Sequence, residues 1–263
     1  MTQPAILRDT VCAGSDRIGE LSIDWAVSCH VGCVRETNED AALVLPGRYL
    51  LADGMGGHES GELASEAALL TLAGVQAGAD LQTTREALSE SLAAAQDRIG
   101  ELPGDSARRA GTTATGVVLA QHGDEPSWVA FNIGDSRTYL YTGGRLTQVS
   151  VDHSQVQEMV DGGFLTPEQA RVDPRRNVIT RALGAGMSTP EADFYTFATA
   201  PGDRIVLCSD GLNGELTDAE IEFIVAAADS PEVAAEALTA AAVENGAHDN
   251  VTVVVVAVAA TGE

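Results

Sequence analysis

The amino-acid order predicts an α+β domain of mostly antiparallel sheets with helices packed on their outer faces. Three observations carry this. Apolar runs come in blocks of strands, then helices, then strands again, and that order disfavours the strict alternation of a doubly wound parallel sheet. The 263 residues are 44% hydrophobic, enough to fill a substantial core. No fixed-period repeat divides the chain, so a single layered domain is the economical architecture.

Residues 1–23 show no clear periodicity and are expected to form a weakly ordered leader before a domain covering 24–260. Strand patterning begins at 24–34, and 41–45 and 49–52 read as a hairpin joined by Pro46-Gly47-Arg48. The period then changes. Leu63, Ala67 and Leu70 share one helical face, and Leu88, Leu92, Ala95 and Ile99 mark a second helix, with Thr83 and Glu86 at capping-box spacing. Residues 112–121, 127–133, 138–141 and 146–149 read as strands. The polar stretch 152–176, with Thr166-Pro167 as a helix start, reads as an inserted flap. Strands follow at 177–183, 194–199 and 204–208. Thr217 with Glu220, and Ser230 before Pro231, open two more helices, on Ile221, Ile224 and Val225 and on Val233, Ala237 and Leu238; a strand over 251–258 is last.

The formal net charge is -24, and all 15 basic residues are arginine. Phosphate backbones are bound by basic surfaces, so nucleic acid is excluded as a partner. No apolar run approaches the roughly 18 residues needed to span a bilayer, and the N-terminus lacks a basic segment followed by an apolar core, so the expected setting is the cytoplasm, with no membrane partner; a monomer is expected. Cys12, Cys29, Cys33 and Cys208 are too few and too irregular for a disulfide framework. Trp25, Val27, Cys29, Val31 and Cys33 alternate along one strand face, which makes Cys29 and Cys33 core residues rather than zinc ligands.

Chemistry concentrates around Leu51-Ala52-Asp53-Gly54-Met55-Gly56-Gly57-His58, where a short apolar strand delivers an aspartate into a glycine-rich bend. An isolated Asp-Gly is ordinarily only a hairpin turn. Here the arrangement recurs: Asp135, Asp210 and Asp249 also stand at predicted strand ends. Hard divalent cations such as magnesium and manganese take oxygen ligands, and four aspartates with a backbone carbonyl suit them. Arg35 is the candidate for gripping phosphate oxygens. Glu39 and Asp40 either reach a metal through water or form a solvated pair. His58 either protonates a leaving oxygen or only marks a helix entry, and His153 is expected to brace the flap.

These motifs resemble those of the protein phosphatase 2C family, especially its compact bacterial serine/threonine phosphatases. The resemblance rests on Arg35-Glu36-Thr37-Asn38-Glu39-Asp40, Asp53-Gly54-Met55-Gly56-Gly57-His58, Gly111-Thr112-Thr113, Asn132-Ile133-Gly134-Asp135-Ser136-Arg137, Asp152-His153-Ser154, the segment 177–184, Ser209-Asp210-Gly211 and Asp249-Asn250, in family order. It implies a four-layer α-β-β-α sandwich with a small flap. It also implies two core Mn2+ or Mg2+ ions and a possible third. Asp53 would bridge the core pair, the Gly54 carbonyl would ligate one, and Asp210 and Asp249 would hold the other. Asp135 with Asp210 matches the third-metal position, Glu39 and Asp40 would support metal-bound water, and Arg35 would bind phosphate. Members from higher organisms often carry histidine directly after Asp-Gly, where this chain has Met55. His58, three residues further on, is then either the general acid or a substrate contact. The implied activity is hydrolysis of phosphoserine and phosphothreonine on proteins, opposing a serine/threonine kinase. A phosphorylated metabolite as substrate, and a phosphoprotein-binding module without turnover, are the rival readings.

Overall fold

Residues 4–57, 59–102, 110–187 and 189–259 are described by the computed structural model. In chain order, β1 (Val11–Ile18) and β2 (Leu21–His30) form one hairpin, and β3 (Ala41–Leu45) and β4 (Arg48–Ala52) another. The short β5 (Gly54–Met55) leads into α1 (Glu59–Leu72) and α2 (Leu81–Gly100). Then come β6 (Gly111–Thr112), β7 (Ala114–His122), β8 (Glu125–Ile133), β9 (Arg137–Thr142) and β10 (Arg145–Gln148). Helices α3 (Gln155–Asp161) and α4 (Pro167–Val172) make up the flap. They are followed by β11 (Leu183–Gly184), β12 (Asp193–Ala198), β13 (Arg204–Cys208), α5 (Asp210–Asn213), α6 (Asp218–Ala227), α7 (Pro231–Glu244) and β14 (Val251–Ala259).

Two large antiparallel sheets result, ordered β1-β2-β14-β13-β9-β10 and β12-β8-β7-β4-β3. The central strands are apolar on both faces, and alternation sends successive residues into different cores. Tyr49 and Leu51 of β4 meet Ile205, Leu207, Val254 and Val256 in the core between the sheets. Leu50 and Ala52 point the other way, onto α1 and α2. Val206, Val253 and Val255 face Ile221 and Leu238 of α6 and α7. Three cores separate four layers, an α-β-β-α sandwich. Strand ends meet at one edge, where the small sheet β11-β6-β5 sits beside the glycine bend.

Several boundaries differ from expectation, each for a physical reason. Residues 11–18 are not a loose leader: β1 pairs with β2 along its full length, from Val11 opposite Ser28 to Ile18 opposite Leu21. Its half-buried face is Cys12, Gly14, Asp16 and Ile18, too small and polar to register as apolar alternation. Strand β2 stops at His30, because Gly32 turns the chain at φ +83°. Cys29 is buried as expected, but Cys33 lies past the strand end and is exposed.

On α1 the buried stripe is Ala64, Ala67, Ala68, Leu69 and Leu72, while Leu63 is 38% exposed. Alanine lets the helix approach the sheet closely, so the buried face is centred on Ala64, Ala68 and Leu72 and passes beside Leu63. The same applies to α7, where Ala234, Ala235, Leu238 and Ala242 are buried and Val233 is exposed. Helix α2 is capped by Asp80 rather than Thr83, its carboxylate accepting from the amides of Gln82 and Thr83 at 3.0 Å each. The capping boxes at Thr166 and Thr217 form with Gln169 and Glu220. Residues 177–182 are no strand; Ile179 makes a lone bridge to Ser154, and the segment runs along the cleft.

Candidate metal centre

Asp53 leaves β4 with its main chain held from one side by two threonines. The Thr113 hydroxyl accepts from the Asp53 amide at 3.0 Å, while the Thr113 amide and Thr112 hydroxyl both donate to the Asp53 carbonyl at 2.9 Å. With its backbone occupied, Asp53 sends its carboxylate into the cleft. Gly54 follows at a site with no room for a side chain, because a Cβ there would lie 2.3 Å from the Gly61 carbonyl oxygen and 2.5 Å from that of Glu39.

Asp135 sits on a turn clamped the same way. Gly134 adopts φ +108°, and a Cβ there would collide with Thr113. The His153 ring accepts from the Gly134 amide at 3.1 Å, and the His153 amide donates to the Gly134 carbonyl at 2.9 Å. The other ring nitrogen lies 3.1 Å from Asp193. His153 therefore braces the Asp135 turn against β12, more than the flap it was expected to hold.

Asp210 begins α5 directly after β13, and Gly211 next to it has no space for a Cβ, which would sit 2.0 Å from the Asn250 carbonyl oxygen. Asp249 precedes β14 and accepts from the Arg35 guanidinium at 2.6 Å. Asn250 fastens the loop that carries the remaining acids: its amide group donates to the carbonyls of Val31 and Thr37 and accepts from the Glu39 amide at 2.9 Å. Arg35, Glu39, Asp53, Gly54, Asp135, Asp210 and Asp249 all line one cleft of about 560 Å³. Asp40 lies just behind it, 1% exposed. His58 lies outside the described residues.

Burial, then mutual repulsion, governs the electrostatics. Loss of water and the charges of Asp40, Asp210, Asp135 and Asp249 push Asp53 well above the usual carboxylate range. Burial and the neighbouring Asp210 do the same to Asp135. Asp210 is pushed up to about 6 by burial and by Asp249, with Arg35 opposing. Asp40 is pushed up to about 7 by burial, with the nearby Ser209 and Thr252 hydroxyls opposing. Among the described residues, Arg35 opposes the upward shift of Asp210 and Arg137 that of Asp135, and neither outweighs burial and the neighbouring acids.

Such a set is what hard divalent cations require: oxygen donors only, on fixed backbone, in mutual repulsion until positive charge arrives. As placed, Asp249 is turned onto Arg35, and among the described residues no three acidic, histidine or cysteine side chains yet converge at ligand distance. Asp249 would have to leave Arg35 to take a metal, and the all-oxygen donor chemistry of the set fits such an ion.

A pH dependence follows for the metal-free chain. Between about pH 4, where an unfolded carboxylate titrates, and about pH 7, the folded state binds more protons than the unfolded one, so stability falls as pH rises. In chelator, the urea midpoint is expected to be higher near pH 5 than near pH 8, and Asp40→Asn should flatten that slope. A midpoint rising over the same interval would contradict the assignment.

Comparison with known proteins decides the family: residues 34–242 match the model described as Protein phosphatase 2C. The chain belongs to the protein phosphatase 2C family. It is 38% identical over 244 residues to the serine/threonine protein phosphatase PstP of Mycobacterium tuberculosis, covering 89% of this chain and 45% of that protein. The chain thus spans under half the length of that relative. Protein phosphatase PhpP of Streptococcus pneumoniae is 36% identical over 210 residues, covering 79% of this chain and 84% of PhpP. The crystal structure of M. tuberculosis PstP superposes with a TM-score of 0.80 at 34% identity, covering 90% of this chain and 99% of that one. A second structure, the PstP catalytic domain in complex with two manganese ions, gives a TM-score of 0.77 at 34% identity over 91% of this chain and all of the other.

Within this 2C-family domain, the cleft unites the acids singled out from sequence, together with Arg35. Sequence reasoning missed the backbone fasteners: the roles of Thr112, Thr113 and Asn250 were invisible, although the residues stood inside recognised motifs.

Proposed function

We propose that this domain is a Mn2+- or Mg2+-dependent phosphatase that hydrolyses phosphoserine and phosphothreonine on proteins, opposing a serine/threonine kinase. The observation that carries the reading is the meeting of Asp53, Gly54, Asp135, Asp210 and Asp249 in one cleft with Arg35 at its rim. The relatives named as serine/threonine phosphatases, and the PstP domain with two manganese ions, support it.

In this mechanism Asp53, the Gly54 carbonyl, Asp210 and Asp249 would hold the two core ions, with Asp53 shared between them. Asp135 with Asp210 would hold a third. When bound, the ions supply a water of lowered pKa and neutralise charge on attacking and leaving oxygens. The remaining work falls to side chains. Glu39, in the cleft lining, and Asp40, behind it, would orient water held there. Arg35, with its side chain 55% exposed, leaves Asp249 to grip two phosphate oxygens and align the ester. The acid that protonates the leaving oxygen is proposed to be His58 or a water held in the cleft.

Arg35→Ala should raise KM for a phosphoserine peptide by about 10- to 100-fold, the loss of a charge-assisted contact of roughly 1.5–3 kcal/mol. Its Mn2+ requirement should not rise, because the same change frees Asp249. An unchanged KM would remove Arg35 from phosphate binding. The function itself is tested by turnover of phosphoserine and phosphothreonine peptides against a panel of phosphorylated metabolites, with Mn2+ present. Preference for the peptides supports the proposal; turnover confined to metabolites contradicts it.

A further inference from the structure

The residues before β1 cross directly behind the acidic loop. Leu7 and Ala42 exchange both backbone hydrogen bonds at 2.9 Å, which lays this segment against the start of β3, two residues past Asp40. The Thr10 carbonyl accepts from the Cys29 amide at 2.9 Å, and the Asp9 carboxylate accepts from the Asn38 side chain at 2.8 Å. The segment is thus fastened on both sides of Arg8, and Arg8 points inward, its side chain only 15% exposed.

Every acceptor of that guanidinium belongs to the loop or to α1. Nε donates to the Asp40 carbonyl at 2.8 Å. Nη1 donates to the Glu62 carboxylate at 2.7 Å, and Nη2 donates to the Glu62 carbonyl and the Ser65 hydroxyl, both at 3.1 Å. The Ser65 oxygen in turn lies 2.7 Å from the Glu39 carbonyl. That carbonyl is the atom packed against Gly54, where it leaves no space for a Cβ. A continuous path of hydrogen bonds and packing runs from Arg8 through Asp40, Ser65 and Glu39 to the Gly54 position.

We propose that Arg8 is a positioning residue for the metal centre, fixing the Glu39–Asp40 main chain against α1 and Gly54 so that the acids present a preset geometry. Arg8 lies outside residues 34–242, the span matched by the family model. A planar fork with five donors can hold a carbonyl, a carboxylate and a hydroxyl at once, whereas a lysine at position 8 would supply one point charge. The inference rests on the metal-dependent reading above.

Its test is calorimetric titration of Mn2+ into the chelator-treated full chain, for wild type, Arg8→Ala, Arg8→Lys and Arg204→Ala. Arg204 is the comparison, since it donates to the carbonyls of Val225 and Ala228, at the end of α6, and lines no part of the cleft. Arg8→Ala is expected to weaken Mn2+ binding about tenfold, the lower end of what loss of an outer-shell partner costs, with partial recovery in Arg8→Lys. Arg204→Ala should lower the urea midpoint while leaving Mn2+ affinity unchanged. Hydrogen exchange on the metal-free protein should show faster exchange at the Glu39 and Asp40 amides in Arg8→Ala alone. If Arg8→Ala does not fold, Arg8→Lys carries the comparison, with a smaller loss in the same direction. Wild-type Mn2+ affinity in the Arg8 variants, or equal loss in Arg204→Ala, would overturn the positioning role. A wild-type chain that binds no Mn2+ would overturn the metal reading, and this inference with it.

Discussion

Asp53→Asn is expected to lower kcat/KM on a phosphoserine peptide by about a thousandfold or more, beyond the roughly 10- to 100-fold that loss of an outer-shell group costs, because on the proposed reading it removes the ligand that both ions would share. The same change should raise the stability of the metal-free protein near neutral pH. Asp53 is crowded by Asp40, Asp210, Asp135 and Asp249, which push its pKa well up along with burial. An amide of similar shape removes one repelling charge while leaving the backbone bonds to Thr112 and Thr113 in place. Activity and stability therefore move in opposite directions, a pattern that misfolding cannot produce. Activity assays paired with urea midpoints in chelator check both halves. A variant that loses activity together with stability would point to a structural role for Asp53.

Gly54→Ala is the second large effect, and it acts through geometry alone. The added carbon would lie 2.3 and 2.5 Å from two backbone oxygens, those of Gly61 and Glu39, and neither can swing away as a side chain would. Overpacking of this kind costs about 1–3 kcal/mol. The larger consequence is for catalysis: the Gly54 carbonyl and the Glu39 loop must separate, and a misplacement of about 1 Å can cost on the order of a hundredfold in rate. Gly100→Ala serves as the control, since among the described residues nothing stands within 4 Å of a Cβ there at the end of α2, and the change should be neutral or stabilising by roughly 0.5–1 kcal/mol. Comparable losses in the two variants would remove Gly54's special status.

The contrast between these glycines shows how much of the site could be read from sequence. Strand patterning placed Asp53, Asp135, Asp210 and Asp249 at strand ends, and the fold then brought those ends to one edge. The antiparallel sandwich was legible because β4, β13 and β14 are apolar at every position except Arg48, Arg204 and Thr252, as strands buried on both faces tend to be. What stayed hidden depends on small or polar residues whose role is contact rather than hydropathy. Ala64 and Ala68 set the approach of α1, Asp16 and Gly14 disguised β1 as a leader, and Thr113, Asn250 and Arg8 act through hydrogen bonds to main-chain atoms far away in sequence. Periodicity carries no trace of such bonds.

The central claim is that the acids of this cleft work through divalent ions. Its most direct test is hydrolysis of a phosphoserine peptide by the chelator-treated chain, followed as Mn2+ or Mg2+ is added back. Turnover absent in chelator and restored in saturable fashion by either ion is the predicted result. Turnover that persists undiminished after chelation would contradict it.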